Sequence, residues 1–230
     1  MKKTWIRFFA VAVGALWVFR ASGAIATLNF DAGPANAAAY SGSAPYAFNT
    51  YSGYRSAVLR TVTPVSGASA VSGIGNGGGH ALSFTTSGTG TKRTVAGSKF
   101  TLQLTADGNV TIKAIKFDYN SNIAGSIAWA YSINGGGSGS ATAIALGSAG
   151  AWLTTGQANF ATINLTSGQI ITFTASLIGQ TVNHGERVSF DNINVVVPEP
   201  VTYALAGFGL IFIVGTAGRF YTHRHSRAAC

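Results

Sequence analysis

The sequence predicts an all-β protein, a jelly-roll-like β-sandwich flanked by a short apolar segment at each end. Three observations lead there. No stretch between Thr27 and Val197 keeps the 3.6-residue apolar period of an amphipathic helix. Short runs of β-branched and aromatic residues alternate with polar neighbours instead. Clusters of Gly, Asn and Ser punctuate those runs at short intervals, as in a sandwich or barrel.

The first element is not a strand. Lys2, Lys3 and Arg7 precede an apolar run, Phe8–Phe19, which is followed by Arg20 and small residues. That is the layout of a secretory signal peptide, and the run is too short for a permanent membrane span. Ala24-Ile25-Ala26 offers a small-x-small cleavage site, so residues 1–26 form the signal peptide and the mature chain begins at Thr27.

Residues 27–196 form the sandwich domain, large enough to bury a core without disulfide staples. Ile25–Phe30 is the first strand-like run, and residues 31–54, rich in Ala, Gly, Ser and Tyr, read as a surface connection. Arg55–Val62 is a strand that Pro64 ends, and His80–Thr85 follows a glycine cluster. Phe100, Leu102 and Leu104 alternate up to a turn at Ala106-Asp107-Gly108-Asn109. Val110 and Ile112 are in one phase, and Ile115, Phe117 and Tyr119 in the other, so a β-bulge is expected near Lys113 or Ala114. Ile127, Trp129, Tyr131 and Ile133 line one face before Asn134-Gly135-Gly136-Gly137. Ile163 and Leu165, then Ile171, Phe173, Ala175 and Leu177, flank Ser167-Gly168 and read as a hairpin. Val188 and Phe190 give way to the opposite phase at Ile193 and Val195, which places a second bulge near Asp191-Asn192. About ten strands result.

The last segment, residues 197–230, opens with Val197-Pro198-Glu199-Pro200. An apolar span, 201–218, and a tail, 219–230, with Arg219, Arg224 and Arg227 follow. Eighteen helical residues at about 1.5 Å each cover about 27 Å, enough for a hydrocarbon core. The basic end stays cytoplasmic because Lys and Arg are translocated poorly.

Box, span and basic end together resemble the PEP-CTERM sorting signal. The resemblance implies signal-peptidase removal of 1–26, transient anchoring in the inner membrane and exosortase processing near Pro198–Pro200. The product would reach the cell surface or extracellular matrix, in association with exopolysaccharide and biofilm. An uncleaved tail anchor is the alternative.

Charge excludes one class of partner. The chain carries a net +9, which invites a nucleic-acid reading. Yet residues 27–200 hold eight basic groups against six acids, and the remaining basicity sits in the two termini. The domain is nearly neutral, and no nucleic acid is expected. Cys230 is the only cysteine.

Catalytic motifs are sparse. Gly73-Ile-Gly75-Asn-Gly77-Gly78 matches G-x-G-x-x-G in form, but a strand-like run follows where a nucleotide cradle needs a helix N-terminus. No G-x-S-x-G elbow occurs. His184-Gly185-Glu186 reads as loop surface. Glycoside hydrolysis needs two carboxylates facing one cleft; Asp31, Asp118, Glu186 and Asp191 lie in or beside strands, and nothing in the sequence pairs them.

Phe117–Tyr119, Ile127–Gly136 and Val188–Val195 resemble galactose-binding-type jelly rolls. In that family the first and last strands share a structural Ca²⁺, for which the resemblance nominates Asp31 and Asp191. No other cofactor is expected. Aromatic faces stack on sugar rings, and Tyr46, Tyr51 and Tyr54 cluster in the 31–54 connection as candidate carbohydrate contacts. Trp129 is in phase with core positions, whereas Trp152 fits core or surface. The expected function is that of an exported, non-catalytic surface or matrix protein. A carbohydrate-binding module and a polysaccharide-active enzyme are the alternatives.

Overall fold

Alternation dictates strands, and the chain forms fourteen of them with no helix among the described residues. The structure, a computed structural model, describes residues 25–31, 46–48, 50–86, 94–148, 150–179 and 185–196. The signal segment ahead of Ile25, Val197–Pro200, the apolar span, Arg219, Arg224, Arg227 and His184 lie outside the described residues.

Sheet I contains β1 (Ile25–Leu28), β3 (Thr50–Ser52), β5 (Ala68–Ile74), β6 (His80–Thr86), β8 (Val110–Ser121), β12 (Trp152–Leu165) and β14 (Arg187–Val196). Sheet II contains β2 (Tyr46–Ala47), β4 (Tyr54–Thr63), β7 (Lys99–Ala106), β9 (Gly125–Ile133), β10 (Ser138–Ser140), β11 (Ile144–Leu146) and β13 (Ile170–Ile178). Every pairing is antiparallel, and in sheet II the order is β10-β9-β13-β7-β4-β2 with β11 also beside β9. In sheet I, β14 lies between β8 on one side and both β1 and β6 on the other, with β5 outside β6.

The inner faces meet in an aromatic core. Phe100 of sheet II lies 5.4 Å from Phe190 and 6.4 Å from Phe84 of sheet I, and Trp129 lies 5.6 Å from Phe117 across the same gap. Trp129, Phe84, Phe100, Phe117, Phe173 and Phe190 are all at most 1% exposed. Rings of this size dominate the burial that offsets chain entropy.

Two sequence expectations change here. The segments flanking Ser167-Gly168 do not form a hairpin: β12 pairs with β8 in sheet I, and β13 pairs with β7 and β9 in sheet II. The turn at Asp107–Asn109 likewise crosses from β7 in sheet II to β8 in sheet I. Both turns are too tight to span more than the core, so each carries the chain over the sandwich's end. The irregularity expected near Lys113 and Ala114 appears in the β8–β12 ladder at that level, but the extra residues belong to β12, between Asn159 and Ile163. The second bulge falls where the phase change placed it. Asp191 and Asn194 face Asp118 and Lys116, so β14 has one extra residue. Asn192 takes up the left-handed conformation (φ 48°), which asparagine tolerates better than most residues.

β1 also bears on processing. Ala26 is fully buried and pairs with Val195, so cleavage after Ala26 would strip a core residue from the sheet.

Candidate functional site

Direct partners in an antiparallel ladder point to the same face, about 4.5–5.5 Å apart. Following the register across sheet I gives one outward row: Val71 (β5), Ser83 (β6), Ser189 (β14), Asn120 (β8) and Trp152 (β12). These residues and Gly73, Ile74, Thr85 and Arg187 line an open groove of about 390 Å³, within the usual size of small-molecule sites.

The floor is polar and covered. Ser83 and Ser189 are only 2% and 4% exposed although they point away from the core, and their hydroxyls share a 2.7 Å hydrogen bond. Gly73 keeps the floor open, because a Cβ there would run into Ser83 Oγ. Asn120 Oδ1 is buried and receives no hydrogen bond from any described residue. A buried acceptor left unbonded costs about 1–3 kcal/mol. The walls are apolar: partly exposed Trp152 on one side and Val71 on the other.

One end of this face is closed by the β5–β6 turn, which is tied down by acids. Asp191 Oδ2 accepts from the Asn76 backbone N–H (2.8 Å) and Oδ1 from that of Asn192 (2.8 Å). Asp118 Oδ2 accepts from the side-chain amides of Asn76 (3.0 Å) and Asn192 (2.7 Å). Asp31 Oδ1 accepts from His80 N (3.1 Å), and its Oδ2 from Asn29 Nδ2 (2.7 Å). Gly75 must be glycine-sized here, since a Cβ would lie 2.7 Å from Asp191 Oδ2 and 2.6 Å from His80 O.

Burial pushes the Asp191 carboxyl up from 3.8 to about 6, and the nearby charges of Asp31 and Asp118 add to the rise against the two backbone N–H groups. The folded protein therefore holds this proton where the unfolded chain has lost it. Stability is expected to fall as pH rises from about 4 to about 6 and then to level off. The drop should be roughly 1–3 kcal/mol in urea melts. It should be largely lost in Asp191→Asn; equal pH slopes in both proteins would assign the dependence to other groups.

The structure thus brings Asp31 and Asp191 together, with Asp118 beside them. Their oxygens face N–H donors, and among the described residues no group of three or more His, Cys, Asp or Glu side chains is arranged to hold a metal ion. The arrangement is an amide–carboxylate network around the β5–β6 turn. The same network opposes hydrolysis at the Asp118–Asp191 pair: both oxygens of Asp191, 2% exposed, are engaged by backbone. Glu186 is fully buried and accepts from Val95 N at 2.8 Å, a role in packing the sandwich edge.

The three tyrosines lie on three different strands. Tyr46 is half-buried on β2 of sheet II, and Tyr51 is 45% exposed on β3 of sheet I. Tyr54 is a core residue, 4% exposed, whose hydroxyl burial keeps protonated by raising its pKa. Sequence reasoning missed Ser83, Asn120, Arg187 and Ser189. Their signal was faint: polar residues at the off-phase positions of otherwise apolar strands.

No protein-family model and no curated protein matches the chain. Among solved structures it is similar to the carbohydrate-binding module TmCBM61 in complex with β-1,4-galactotriose (13% identity, 59% of this chain and 86% of that one, TM-score 0.34). It is also similar to a mutant family 29 carbohydrate-binding module complexed with mannohexaose (10% identity, 75% and 91% covered, TM-score 0.35). A third is the K3 adhesin domain of Lys-gingipain from Porphyromonas gingivalis w83 (14% identity, 75% and 96% covered, TM-score 0.35).

Proposed function

We propose that this chain is an exported, non-catalytic polysaccharide-binding protein of jelly-roll type that holds a glycan along the outer face of sheet I. The observation that carries this is the outward row Val71–Ser83–Ser189–Asn120–Trp152, which lines an open groove across five strands. A sugar ring has apolar C–H faces and a rim of hydroxyls. Indole and aliphatic walls suit the faces, and an amide with two serines suits the rim. A binding role is favoured over hydrolysis because, among the described residues, the groove's lining has no carboxylate or imidazole, and hydrolysis needs two carboxyl groups about the scissile bond. The test is affinity electrophoresis or calorimetry against a panel of neutral and acidic polysaccharides. Binding is expected, and it should depend on Trp152; a panel without a single binder would end this reading.

The sorting reading rests on the sequence of the two ends. Signal peptidase and an exosortase are the implied processing partners, and the inner membrane is a transient anchor. The destination is the cell surface or extracellular matrix, among exopolysaccharide. Glu199, the acidic residue between the two prolines of the box, is the recognition handle that the resemblance implies. Because Ala26 belongs to the sheet, we place the N-terminal cut upstream of Ile25, where Ala21-Ser22-Gly23 also supplies small residues. Intact-mass analysis of the exported product should find a start before Ile25 and loss of the chain beyond the box. A mature protein that retains Cys230 would refute C-terminal processing.

A further inference from the structure

We propose that the groove on sheet I selects glycans bearing carboxylates, of the uronic-acid type, and binds them in one orientation, with the carboxylate at Arg187. This rests on the groove being the glycan site.

Charge along β14 carries the inference. Arg187, Ser189 and Asp191 alternate on one face, so cation, neutral floor and acid follow one another at steps of about 6.8 Å. Among the described residues Arg187 is the one charged residue lining the groove, and it is exposed. Among the described residues no carboxylate forms an ion pair with it. Guanidinium presents a planar fork that matches a carboxylate in two parallel hydrogen bonds, and this cation is left for a ligand. The opposite end of the face holds Asp191 with Asp118 directly across the ladder. A uronate lying over the serines is attracted toward Arg187 and repelled from that acid pair, so the reversed pose is disfavoured twice. A neutral glycan would feel neither force.

The test uses the full-length chain and a panel of uronate-containing oligosaccharides, each beside its carboxyl-reduced, neutral counterpart. Uronate forms should bind at least tenfold more tightly, and the preference should shrink as salt rises. Arg187→Gln should bring the ratio of uronate to carboxyl-reduced affinity down to about one, and Trp152→Ala should weaken binding of both forms. Equal binding of both forms, or a preference that survives Arg187→Gln, overturns this inference and leaves the groove reading intact. Absence of binding by every member of the panel overturns both.

Discussion

Replacing Trp152 with alanine should cut polysaccharide affinity at least thirtyfold while barely moving the unfolding midpoint. Aromatic anchors at the edge of a binding groove are typical hot spots, with losses of about 2 kcal/mol or more on truncation, or roughly thirtyfold in Kd. Trp152 opens β12, opposite Asn120, and lies just ahead of the register shift between Leu153 and Gly156. It is only partly buried and makes no ring contact with the core aromatics among the described residues. Little packing is therefore lost. Calorimetric titration of wild type and variant with the same polysaccharide measures the effect, and urea melts check the fold. Unchanged affinity in the variant would remove sheet I's outer face as the glycan site. A large loss of stability would show instead that the indole belongs to the core.

Trp129→Ala should have the reverse profile, with a loss of about 3–5 kcal/mol of stability. Total stability of such a domain is about 5–15 kcal/mol, so the variant is expected to be marginal or unfolded at room temperature. Trp129 touches Phe100 (5.5 Å, edge to face) and Phe117 (5.6 Å), and is fully buried at the centre of the interface between sheets. Its indole N–H has no hydrogen-bond partner among the described residues. Trp129→Phe should therefore be much milder, because it keeps a ring and removes an unsatisfied donor. Chemical denaturation of the pair checks this. Equal losses in both variants would mean that a feature of the indole that phenylalanine lacks, and neither volume nor an aromatic ring as such, controls stability.

The two substitutions separate what alternation could and could not reveal. Trp129 is legible as core because Ile127, Trp129 and Tyr131 share a phase that a half-buried strand requires. The bulge at Asp191-Asn192 is legible for the same reason: one slipped residue turns every later side chain to the other face. Trp152 has no such neighbours, and its place became clear only through its partner Asn120. β5, Ala68–Ile74, went unseen because serine and glycine blur the alternation, although it forms one wall of the groove.

The mistaken hairpin at Ser167-Gly168 has a related cause. Two strands joined by a tight turn, each with one apolar face, suit a hairpin and suit a crossing between sheets equally well. In the second case their apolar faces meet across the core instead of lying side by side. Local pattern does not distinguish these, because it records which face is buried and not which strand supplies the neighbour.

By itself the sequence determined the all-β character, the position of most strands, the buried face of each, the bulge in β14 and the near-neutrality of the domain. Those properties are one-dimensional: they follow from side-chain period and charge count along the chain. Tertiary structure alone decided that residues 71, 83, 120, 152 and 189 stand in one row, and that Asp31, Asp118 and Asp191 converge on the β5–β6 turn. Such convergence depends on the pairing order and register of strands far apart in the chain, which are set by how two whole sheets bury their apolar faces against each other.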